Sequence, residues 1–131
     1  MRIYFSAYSG PIITDTVNGL NLLAAKINDF LDSHDERIFV QADTSGSPAP
    51  YEVFLPSVEF EKGHGPIFVS RTAQVGLRIV GSSKNLRLWC NHLLFPPSAI
   101  DGDHHHPDQV HLPEYVAFSS MPVIIEVREE G

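Results

Sequence analysis

Apolar residues recur along this chain with two different periods, and the places where the period changes divide it into short elements. Arg2-Ile3-Tyr4-Phe5-Ser6 is aromatic and β-branched and stops at Ser9-Gly10-Pro11, which predicts a first strand. Val17, Leu20, Leu23, Ala24, Ile27, Phe30 and Leu31 then recur at helical spacing, with Asn18, Asn21, Lys26, Asn28, Asp29 and Asp32 mostly on the other side. The pattern predicts an amphipathic helix capped by Thr14 or Asp15 and ending near Ser33-His34. Gly19 weakens that helix by about 1 kcal/mol relative to alanine without erasing the pattern. Further strands are predicted over 37–42, 51–55, 58–61, 67–69 and 75–80, with Pro56 kinking the pair 51–55 and 58–61 at a sheet edge. A second helix opens at Ser82 or Ser83, turns Leu86, Trp89, Cys90, Leu93 and Leu94 inward, and stops at Pro96-Pro97. Residues 98–109 read as loop, and 110–112, 115–118 and 123–127 as the last strands. Strands and helices do not alternate strictly. The expected fold is therefore α+β: a mostly antiparallel sheet of about six or seven strands with two helices packed on one face, in a single domain spanning 1–131.

Composition narrows the class. An apolar fraction of 43% in 131 residues supplies an ordinary core, and ten prolines with nine glycines argue against a helical bundle. The lone cysteine, Cys90, has no partner for an internal disulfide and is expected to be a buried, inert thiol. No apolar window is long enough for a membrane span, and the N-terminal residues lack the apolar run of a secretion signal, so a cytoplasmic protein is expected. A net charge of −7 repels phosphates, disfavours nucleic acid as a partner and suits a basic protein partner.

Candidate chemistry concentrates in Asp101-Gly102-Asp103-His104-His105-His106-Pro107-Asp108-Gln109-Val110-His111. In an extended backbone His104 and His106 point the same way and His105 the other. A Zn²⁺ or Ni²⁺ site built from His104, His106, Asp108 and His111 is one reading, giving a small metal-binding protein or metal-dependent enzyme. Three adjacent imidazoles cannot all reach one ion, however; a surface that binds a partner or responds to pH fits the run better, and a structural hydrogen-bonding role fits it best. The remaining catalytic candidates are weak. Cys90 and His92 are two residues apart on a helix and do not face each other. Ser119-Ser120 lacks a nucleophile elbow, and Gly63-His64-Gly65-Pro66 lacks the spacing of a phosphate loop. Glu59 and Glu61 share a strand face and are expected to be solvated, while Tyr8 and Tyr51 sit beside Gly/Pro-rich loops where an exposed ring would anchor an interface.

Residues 77–127 also carry a resemblance. Leu77-Arg78-Ile79-Val80-Gly81-Ser82-Ser83-Lys84-Asn85-Leu86 is a strand, a Gly-Ser turn and a helix start. A helix with Trp89 and Leu93-Leu94 follows, then a His-rich turn, Tyr115, and Ser119 before Val123-Ile124-Ile125-Glu126. This order resembles the small immunity proteins of bacterial polymorphic and contact-delivered toxin systems, in particular immunity protein family thirty-two. The resemblance implies a protein without catalysis or cofactor that binds and neutralises a cognate toxin. Loops would supply its contacts. The expected contact residues are Asp43 and Tyr51 in one loop, His64 in another, and Asp101, Asp103, His104, His105, His106 and Asp108 in the His-rich bend.

Overall fold

The computed structural model describes residues 1–129 as an α+β fold of nine strands and two helices. β1 (Arg2–Ser6) and β2 (Gly10–Asp15) form a hairpin whose three-residue turn closes on Gly10 at φ +71°, a left-handed conformation that glycine adopts without strain. The predicted stop at Ser9-Gly10-Pro11 is thus a reversal into a second strand. Its Pro11, Ile12, Ile13 and Thr14 are all buried, so it shows none of the alternation that marks a half-exposed strand. Pro11, which has no N–H to give, precedes the pairing with β9 (Ile124–Val127), which begins at Ile12.

α1 (Val17–Asp32) begins one or two residues later than the expected cap at Asp15 or Thr14 allows. Thr16 is its cap, and the Thr16 hydroxyl accepts from Gly19 N–H at 3.0 Å. The seven residues predicted for its inner face are its seven buried residues. β3 (Arg37–Gln41) follows, then β4 (Val53–Phe54), β5 (Ser57–Lys62), β6 (Phe68–Thr72) and β7 (Gly76–Gly81). α2 (Ser83–Cys90), capped by the Ser82 hydroxyl, runs into a 3-10 turn at Asn91–Leu93, which leaves Leu94 exposed rather than inward. β8 (His104–His105) and β9 complete the chain.

The strands form two mixed sheets and not one. The first has the order β4-β1-β2-β9-β8, the second β3-β5-β7-β6, and each holds one parallel pair among antiparallel ones. The kink expected at Pro56 is the corner between them: Leu55 N–H donates to Ile3 O in the first sheet, and Ala42 N–H reaches Pro56 O beside the second. α1 packs on α2 and touches β2 and β3, while α2 touches β7. One apolar core joins both sheets and both helices, with Trp89 set edge-on to Phe60 at 5.7 Å near its centre. The strands expected over 110–112 and 115–118 are turns. They touch a sheet through one parallel bridge, Ile67 to Val116, with backbone bonds between Ile67 and both Tyr115 and Ala117, and Met121 just beyond them bonds Val69 of β6.

Candidate functional site

The long connection from the 3-10 turn to β9 carries the densest set of unusual side chains. Its His-rich bend is pinned where His104 and His105 pair with Glu126 and Ile125. That short ladder imposes the strand alternation expected of the three imidazoles. His105 turns inward, stacks on Phe95 at 4.2 Å and donates from Nδ1 to the carbonyl of His92 at 2.8 Å. His104 and His106 share the other side with ring centroids 4.9 Å apart, and His106 stacks on His111 at 5.2 Å. His104 Nδ1 donates to Gly102 O, and His111 Nδ1 lies 2.7 Å from Asp108 Oδ1. A carbonyl can only accept, so His104 and His105 each carry a proton on Nδ1.

Burial sets the electrostatics of the cluster. The His92 ring is held below the usual imidazole value, first by desolvation and then by His105, and its Nε2 meets the Tyr115 hydroxyl at 2.8 Å. The Tyr115 hydroxyl is pushed up by its own burial and by Glu114. His106 is lowered by desolvation and by the neighbouring His104 and His111, against an opposing pull from Asp108. Burial alone would raise the Asp108 carboxyl. Hydrogen bonds from the His111 ring and from the N–H groups of His111 and Val110 outweigh it and hold the group low. Asp108 is therefore consumed in shaping the 108–111 turn and is buried, although the sequence places it among the contact residues. Among the described residues, no three His, Cys, Asp or Glu side chains converge to hold a metal ion, and the set His104, His106, Asp108 and His111 is spent on ring stacking and turn hydrogen bonds. Ser120 is equally occupied: its buried hydroxyl accepts from Val69 N–H at 2.8 Å.

The other expected contact residues do not gather here. Tyr51 leads into β4 and His104 lies on β8, the two opposite edges of the first sheet. Tyr51 is half-buried against Tyr4 at 5.1 Å, and Asp43 pairs with Arg2 at 3.3 Å. His64 is exposed in the turn after β5, where Gly65 O accepts from Asn85 at the start of α2. Asp101, Asp103 and His104 are exposed together on the His-rich bend, and His105 and His106 are half-buried behind them.

Two features of the connection were not singled out from the sequence. Phe118 is 94% exposed, Val110 78% and Ile100 68%, although all three are large and apolar. Gln109 donates to Ser120 O at 3.0 Å, which ties the Val110 turn to the Phe118 turn. Between Arg87 and Arg128 there is also no lysine or arginine, while Asp101, Asp103, Asp108, Glu114 and Glu126 all fall there. Counting bases over this stretch would have shown the second feature; the first needed the fold. No family model matches the chain, and no curated protein or solved structure is significantly similar to it.

Proposed function

We propose that this chain is a binding protein without catalysis of its own, an immunity protein that neutralises a basic bacterial toxin by covering its active site. The observation that carries this reading is the base-free connection, where exposed Ile100, Val110 and Phe118 stand among carboxylates and imidazoles. Exposed aromatic and aliphatic side chains supply binding energy when a partner buries them, and the surrounding carboxylates steer a cationic partner onto them. Asp101, Asp103 and His104 are the polar contacts in this reading, and His105, His106 and Asp108 hold the backbone that presents them. The resemblance of residues 77–127 to immunity proteins points the same way.

Burying Phe118 fully is worth about 1.5–3 kcal/mol, so Phe118→Ala should weaken the complex about tenfold to a hundredfold. The test is co-expression with the product of the neighbouring open reading frame, which this reading expects to be the toxin. Growth restored by the wild-type chain, a one-to-one complex on size exclusion, and loss of both in a Val110→Lys, Phe118→Lys double variant support the proposal. Growth arrest that the wild-type chain does not relieve, with no complex formed, overturns it.

A further inference from the structure

The second sheet ends in two edges that the chain treats differently. The β6 edge is covered: Ile67 N–H donates to Tyr115 O, Ala117 N–H to Ile67 O, Met121 N–H to Val69 O, and Val69 N–H to Ser120 Oγ. The β3 edge has no such cover over Arg37–Gln41; only beyond it does Asp43 N–H donate to Met1 O. Lys62 N–H donates to Glu36 O and Ala42 N–H to Pro56 O, which fixes residues 36, 38, 40 and 42 as those bonded to β5. Arg37, Phe39 and Gln41 therefore aim their N–H and C=O groups outward, and among the described residues none takes them. No proline interrupts β3, its register with β5 runs without a bulge, and Phe39 is 51% exposed at its centre. Such an edge is a template for one more strand.

We propose that β3 is a docking edge for an extended, basic segment of a protein partner, which adds to the second sheet as a fifth strand. This rests on the reading of a basic protein partner but uses a surface separate from the His-rich connection. Charge selects the occupant. Asp35 and Glu36 are exposed at one end of the edge and Asp43 at the other, with Glu59 and Glu61 on the adjacent strand. Arg2, Arg37 and Arg78 pair with this group but leave carboxylates in excess. Glu59 is buried and its Oε1 has no hydrogen bond, its Arg37 neighbour standing 3.7 Å away. Asp35 and Glu36 lie just before β3 and Asp43 just after it, so the fitting segment has an apolar residue near its centre and cations toward its ends. A second copy fits worse, because antiparallel pairing about Phe39 would set Asp35 opposite the second copy's Asp43.

The test is made on the isolated chain, so it stands or falls apart from toxin neutralisation. The probes are an end-blocked nonapeptide of alternating Thr and Val with Lys at both ends, and its twin with Glu at both ends. Saturating Lys-ended peptide should slow hydrogen exchange at the Arg37, Phe39 and Gln41 amides at least tenfold, and the Glu-ended twin should bind at least tenfold more weakly. Phe39→Pro removes an outward N–H that bonds nothing in the fold and should abolish the protection, with Gln41→Pro as a second variant of the same kind. An Asp35→Lys, Asp43→Lys double variant, altered only at exposed positions, should reverse the peptide preference. Equal affinity for both peptides, no protection of the three amides, or their protection by concentration-dependent dimerisation without peptide would overturn the proposal.

Discussion

Ser120→Ala isolates the bond that holds the exposed turn against the second sheet. Ser120 is 3% exposed and Val69, on the covered edge strand, is 1% exposed. The Val69 N–H donates to the Ser120 hydroxyl at 2.8 Å, and that hydroxyl donates onward to Met121 O at 3.2 Å. Alanine keeps nearly all the volume but leaves the Val69 N–H dry and without an acceptor. A buried donor left unpaired costs about 1–3 kcal/mol. For a domain of this length that lowers Tm by about 3–15 °C. Urea unfolding followed by the fluorescence of Trp89, the one tryptophan, measures it directly. Ser119→Ala is the matched control, since Ser119 is exposed and should change stability by less than about 0.5 kcal/mol. Amide exchange at Val69 should quicken in the first variant and not in the second. Equal midpoints for the two variants would refute the assignment of this serine as a structural tie.

Two further outcomes follow from burial. Burial pushes the Cys90 thiol up to about 12, and the residue is 1% exposed, so a thiol reagent should label it only at the rate of global unfolding; labelling of the native protein within seconds would contradict that. His92 and His106 are held below the ordinary imidazole value of 6.5, so the folded state prefers both rings neutral. Their contribution to stability is complete above that value and is lost as pH falls through the depressed native values. Urea midpoints should therefore drop between about pH 7 and pH 5, and the ring-proton titrations of both residues should have midpoints below the ordinary value. A midpoint at or above it for His92 would remove the argument.

Where periodicity and burial coincide, the fold was legible. The inner face of α1 was readable because one side of that helix alone meets the core, and Pro56 was readable as a break because proline cannot continue a paired strand. β2 was hidden for the opposite reason. It is buried on both faces, is only six residues long, and starts with Gly-Pro, which is the punctuation of a turn. Residues 110–118 carry strand-forming valine, tyrosine and phenylalanine, but tertiary context overrides propensity there: Val110 and Phe118 face outward, and the segment caps an edge without extending the sheet. The histidine alternation was legible because it depends only on an extended backbone. The placement of Asp43, Tyr51 and His64 away from the bend depends on strand order, which local sequence does not encode.

The treatment of the two sheet edges bears on why the connection looks as it does. Covering β6 occupies the backbone of 115–121 and the Ser120 hydroxyl, and a chain selected for stability alone would also turn Phe118 inward from that segment. Instead the ring points to water, beside a turn whose valine does the same, over a stretch with five carboxylates and no lysine or arginine. Isolated exposed apolar residues are ordinary on any surface, but here the side-chain bonds of Asp108, Gln109 and Ser120 fix the backbone that displays them. Rigid presentation lowers the entropy cost of association, because the turns are ordered before a partner arrives. Amides of 108–120 that exchange as fast in the folded protein as in an unstructured peptide of the same sequence would refute such pre-ordering.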